Sequence, residues 1–113
     1  MRKSDKKLDN EIRKALTRLC EDKLKSQQGF EWLTHTANYS NFPASLKVVC
    51  VFDTNENLAQ FESSSNKSNI VSTIANILSA LNIKLSAPEK QLVFDCEEKC
   101  DQEHRGNWKA RLG

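Results

Sequence analysis

Leu46-Lys47-Val48-Val49-Cys50-Val51-Phe52 is the stretch on which the fold turns. Six of its seven residues are apolar, and three of those are β-branched valines, so it reads as a strand. Upstream, Phe30-Glu31-Trp32-Leu33-Thr34-His35-Thr36 is rich in aromatic and β-branched residues and reads as another. Between the two lies Asn38-Tyr39-Ser40-Asn41-Phe42-Pro43-Ala44-Ser45, whose Asn, Ser and Pro supply turn chemistry. The two runs are expected to pair antiparallel through a wide hairpin. Pro43 cannot donate to a ladder, which places it in the connection or at an edge.

Further upstream, Leu8, Ile12, Ala15, Leu16, Leu19, Cys20 and Leu24 recur at helical spacing opposite Lys, Arg, Asp and Glu. Ser4 or Asp5 can cap this helix, predicted over about residues 5–26, and Gly29 stops it.

Downstream of the decisive strand, Asp53–Asn57 ends it, and Leu58 and Phe61 fit a short helix. Ser63–Asn69 is a polar break, predicted as a loop that also supplies a cap for the next helix. That second main helix is expected over about 70–81, with Ile70, Ile74, Ile77, Leu78 and Leu81 facing the core. Pro88 marks a turn, and Gln91-Leu92-Val93-Phe94-Asp95 a third strand. Cys96–His104 reads as a short helix closed by Gly106. The order α-β-β-α-β predicts an α+β fold: a three-stranded, mainly antiparallel sheet with helices on one face. One domain over 1–105 is expected, followed by a basic C-terminal tail over 106–113.

Composition agrees with a folded chain. Hydrophobic residues make up 38% of the 113 and charged residues 28%, yet the net charge is only +2, too low to hold a chain open by repulsion. The basic start, Met1 to Lys7, has no apolar stretch after it of the kind a secretory signal needs. The apolar-rich stretch Ile70–Leu85 is interrupted by Ser72, Thr73, Asn76, Ser79, Asn82 and Lys84, too polar to cross a bilayer. A cytoplasmic, soluble protein is expected, with Cys20, Cys50, Cys96 and Cys100 as thiols.

Glycines occur only at 29, 106 and 113, which excludes Walker and dinucleotide-binding loops. The only histidines are His35 and His104, and no Gly-x-Ser-x-Gly is present, so no enzyme and no cofactor are expected. Cys96, Cys100 and His104 recur every four residues. As three helical ligands they would spread over about 12 Å, too far for one ion, although two of them with a distant Cys20 or Cys50 could hold one; a small apolar Cys face packed on the core is expected, and no metal.

Charge is distributed unevenly. Residues 1–25 carry nine basic and five acidic side chains, whereas 26–83 carry two and four. A basic first helix on a near-neutral body points to an anionic partner. Lys6, Lys7, Arg13, Lys14 and Arg18 are the candidate phosphate contacts. In the tail, Trp108 lies among Arg105, Lys109 and Arg111, a pattern in which the ring stacks on a base while cations meet phosphates. Trp108 could equally pack back on the body beside Leu112. The second main helix is unusual in carrying no charge from Asn69 to Ile83. Its outer residues Ser72, Asn76 and Ser79 form a neutral face suited to close approach of another surface.

The helix Ile12–Leu24, Gly29-Phe30 opening a strand, Ala44-Ser45-Leu46-Lys47-Val48 feeding the second, and Leu92-Val93-Phe94-Asp95 as the last together resemble the type II KH-like domain of the ribosome-binding factor A family, over roughly residues 8–98. That resemblance implies ribosomal RNA as partner. The ending Gly106-Asn107-Trp108-Lys109-Ala110-Arg111-Leu112 is similar to that of a short bacterial family whose members are sometimes labelled Fis-like DNA-binding regulators. A helix-turn-helix needs two successive helices and a basic recognition helix. Strands follow the first helix here, so the regulator function is not carried over. The leading expectation is a nucleic-acid-binding module, RNA or ribonucleoprotein favoured. The alternatives are a protein-interaction or homodimer module, and a small metal or thiol protein.

Overall fold

The computed structural model describes residues 3–112. It is α+β, with the expected order of elements. Helix α1 spans Lys3–Asp22 and passes into a short 3-10 turn at Leu24–Ser26; strands β1 and β2 are Phe30–Thr36 and Lys47–Phe52. Helices α2, Asn55–Ser63, and α3, Ser65–Ala80, lead through the single turn α4, Pro88–Gln91, to β3, Leu92–Cys96. Helices α5, Glu97–His104, and α6, Trp108–Leu112, close the described chain.

The sheet order is β1-β2-β3. β1 and β2 pair antiparallel, with Leu33 opposite Cys50 and His35 opposite Val48. β3 pairs parallel with β2, Val49 beside Val93 and Val51 beside Asp95, so the sheet is mixed. The parallel pair results from the α2–α3 crossover, which carries the chain back to start β3 at the same end as β2.

One face of the sheet meets α1, α2 and α3. Ile12, Leu16 and Leu19 of α1, Leu58 and Phe61 of α2, and Ile70, Ile74 and Leu78 of α3 form one buried cluster with Val48, Cys50 and Phe52. The alternation along β2 sends Val49 and Val51 to the other face, where they are buried too. The C-terminal segment covers that face. Helices therefore lie on both faces and not on one: the tail is a helix docked on the sheet through tryptophan and arginine contacts.

The run Ser63–Asn69 is not a loop. Ser64 alone is extended, its Oγ accepts from the Asn66 N–H at 3.3 Å, and helix resumes at Ser65. Serine satisfies the free amides of a helix start, so polar residues that read as a break are here a cap and a first turn.

Gly29 makes the link from α1 to β1. Its φ is +81°, and a Cβ there would lie 2.5 Å from both Asp53 Oδ1 and Asn57 Nδ2. Its carbonyl accepts from the Asp53 N–H at 2.8 Å. At the other end of the sheet, buried Gln91 donates to the Pro43 carbonyl at 2.8 Å and the Leu46 carbonyl at 3.0 Å, and so ties the hairpin connection to β3. Among the described residues, no helix is long and apolar enough to cross a membrane.

Candidate nucleic-acid interface

The period that buries Ile12, Leu16 and Leu19 turns the basic residues outward. Lys6, Lys7, Arg13, Lys14 and Arg18 are all exposed, as is Lys3. At 100° per residue, Lys3, Lys7, Lys14 and Arg18 fall within about 60° of one another on the face opposite the core, along about 22 Å of helix. Lys6 and Arg13 flank them. Glu11 and Glu21 share that surface. Among the described residues, none of these cations has a carboxylate within ion-pair distance; the pairs present are His35–Asp9, Lys67–Glu62, Arg111–Asp95 and Arg111–Glu103. The Arg13 guanidinium donates to Asn10 Oδ1 on the next turn back. The cation set is open to solvent.

On the flank nearest β1, Asp9 Oδ1 accepts from Tyr39 Oη at 2.7 Å and lies 2.8 Å from His35 Nε2. These two hydrogen bonds hold the Asp9 carboxyl below its usual range, and burial together with the Asp9 contact pushes the Tyr39 hydroxyl up. The cluster fixes α1 against β1 and so sets the direction in which the cations point.

The tail residues stand elsewhere. Trp108 meets Trp32 of β1 edge to face, with centroids 4.9 Å apart and planes at 82°. The two oxygens of Glu97 accept from the two indole N–H groups, at 2.5 Å from Trp32 and 2.9 Å from Trp108. Beside the rings runs an open groove of about 600 Å³, lined by Thr34, Thr36, Lys47, Lys109 and Leu112 among others. Lys109 is exposed. Arg111 is not: it grips Asp95 through Nε–Oδ2 at 2.5 Å and Nη2–Oδ1 at 2.9 Å, with both side chains about one-eighth exposed. It also lies over the Trp108 ring, 6.0 Å from the centroid. Arg111 braces α6, and the exposed cation of that helix is Lys109.

The basic residues of α1 and the tail set therefore occupy opposite faces of the sheet. α1 packs on the Val48, Cys50 and Phe52 side, whereas Trp108 and Lys109 border Thr34, Thr36 and Lys47. Three participants escaped sequence reasoning: Trp32, Lys47 and Glu97. A signal existed for the first. Trp32, Thr34 and Thr36 alternate out of phase with Leu33, so they had to face away from the core.

Ser72, Asn76 and Ser79 on α3 are all exposed. Cys96, Cys100 and His104 do not share a helical face, because Cys96 ends β3 and its thiol donates to Asn55 Oδ1 at 3.2 Å. His104 Nδ1 instead lies 3.2 Å from Arg111 Nη1. Among the described residues, no group of three or more His, Cys, Asp or Glu side chains could hold a metal ion. All four cysteines are free, and burial pushes the Cys50 and Cys100 thiols up, away from the reactive thiolate.

No protein-family model matches the chain, and neither a curated protein nor a solved structure does.

Proposed function

We propose that the chain is a small, non-catalytic, cytoplasmic nucleic-acid-binding module, with RNA favoured, that meets phosphates through α1. One observation carries this reading: Lys3, Lys7, Lys14 and Arg18 form an exposed stripe without carboxylate partners among the described residues, on a helix whose orientation the Asp9, His35 and Tyr39 contacts fix. Nucleic-acid affinity comes chiefly from such phosphate contacts. The α-β-β-α-β order, with its likeness to the KH-like domain of the ribosome-binding factor A family, supports the choice of RNA. In one respect the chain departs from KH modules, which clamp the backbone with a Gly-x-x-Gly loop. Its glycines at 29, 106 and 113 form no such loop, so side chains have to do the binding.

The test is fluorescence anisotropy of labelled RNA and DNA strands at low and physiological salt, for the wild type and for Lys7→Glu/Lys14→Glu/Arg18→Glu. The wild type is expected to bind RNA with a salt slope of about 0.7 per phosphate neutralised. The triple variant is expected to bind at least about tenfold more weakly at low salt, with a shallower slope. Equal binding by the two proteins would refute the assignment.

A second reading, a protein-interaction or homodimer module, is favoured by α3. Its outward Ser72, Asn76 and Ser79 lie in a stretch without charge from Asn69 to Ile83, unlike the usual solvated helix face. Light scattering that shows a monomer at all concentrations would remove the homodimer.

A further inference from the structure

The groove across the sheet from α1 has the chemistry of a base-binding site. Both tryptophans of the chain border it. Their N–H edges are already held by Glu97, at 2.5 and 2.9 Å, so the rings are set before any ligand arrives. Preorganised rings stack at little entropic cost. Lys47 and Lys109 are exposed at its rim, and among the described residues no Asp or Glu lines it. Glu97 lies behind the rings, occupied with both indoles, and Asp95 is neutralised by Arg111.

We propose that this groove binds an unpaired base of a single nucleic-acid strand, with the neighbouring phosphates on Lys47 and Lys109. The deduction rests on the nucleic-acid reading above and narrows it to single strands. The charge complement argues for an anionic ligand. Two tryptophans at right angles also suit a ligand cation, but the exposed Lys47 and Lys109 at the rim would repel one. Bases stack on aromatic side chains whatever their sequence. A base inside a duplex offers no free face and would first have to be flipped out, at a cost. The site therefore selects unpaired over paired nucleotides, a selection the phosphate contacts of α1 cannot make.

Trp32 and Trp108 being the only tryptophans, intrinsic tryptophan emission reports this groove and nothing else. The experiment titrates a uridine octamer into the full chain and follows emission, with anisotropy of a labelled octamer in parallel. Saturable quenching by the single strand is expected, with little from the same strand annealed into a duplex and none from inorganic phosphate. Lys47→Glu/Lys109→Glu, two changes at exposed positions, should weaken binding about tenfold at low salt.

An anisotropy change without quenching, and unchanged binding by the double variant, would overturn the groove and leave the α1 reading standing. Quenching that persists when the α1 charges are reversed would uphold the groove and remove α1. No response in either signal would overturn both. Equal quenching by the duplex, or by an acidic peptide, would overturn the groove as a base site.

Discussion

Replacing Arg111 by Met should undock α6 from the sheet. The guanidinium makes two hydrogen bonds to the Asp95 carboxylate, 2.5 and 2.9 Å long, with both side chains only about one-eighth exposed. Met fills similar space with no charge, so the variant removes the pair and keeps most of the packing. It leaves a carboxylate on the sheet face, 8% exposed, with the Cys96 N–H at 2.9 Å as its remaining partner. Breaking a buried ion pair on one side costs about 3–5 kcal/mol. Asp95 keeps one donor and is not wholly closed to water, so about 2–3 kcal/mol is expected, near the value of one or two charged hydrogen bonds.

Urea unfolding, followed by circular dichroism and by tryptophan emission, measures this loss. The emission should also shift to the red in the folded variant, because Trp108 leaves Trp32. The companion Asp95→Asn/Arg111→Met carries no uncompensated charge and should recover about 1 kcal/mol or more of the loss. A single variant within about 0.5 kcal/mol of wild type, or a double variant no better than the single, would show that the pair does not hold α6.

Two further expectations concern the other face. Gly29→Ala should cost about 2 kcal/mol, measured by the same unfolding assay, because its φ of +81° is strained for alanine and a Cβ there meets Asp53 Oδ1 and Asn57 Nδ2 at 2.5 Å; a neutral effect would mean the turn relaxes freely. The Asp9 carboxyl is held low by Tyr39 and His35, so its stabilisation is present in full above the ordinary carboxylate value of about 3.9 and is lost as pH falls through the lowered value. Asp9→Asn should therefore be less stable than wild type near neutral pH and converge on it in acid, and a gap that stays constant into acid would contradict that account.

The sequence discloses what repeats locally. α1 was legible because its apolar residues return every three or four positions and its cations fill the remaining angles. β2 was legible because Val48–Phe52 is apolar at every position, the mark of a central strand buried on both faces. The entry to α3 was misread because Ser64 and Ser65 look like loop residues to any local rule, although serine is also what starts a helix. The docking of α6 was one of two readings open from sequence, since Trp108 finds Trp32 across 76 positions and Arg111 finds Asp95 across 16. Of the candidate site, the α1 charges could be named in advance. The outward face of Trp32 was readable from the strand alternation, but Lys47 and Glu97 could not be named, because they join Trp108 and Lys109 only after β1 has paired with β2 and α6 has folded over both.

That division has a physical consequence for how the two cation sets work together. α1 lies on one face of the sheet and presents its basic residues away from it, while Lys47 and Lys109 border the other face. A helix about 10 Å across and a sheet layer of similar depth separate them by on the order of 20 Å. They meet only at β1, an edge strand: His35 contacts α1 on one side, and Trp32, Thr34 and Thr36 face the groove on the other. A rigid duplex laid along α1 cannot bend round that edge at small cost, since DNA resists curvature on this scale. A flexible single strand can. On the proposed reading, a strand whose phosphates are held by α1 would have a base further along confined near the groove, and the second contact would benefit from a raised effective concentration. The proposed sites on the two faces would thus supply different things, charge on one and ring stacking on the other, and the β1 edge would make their combination a property of flexible strands.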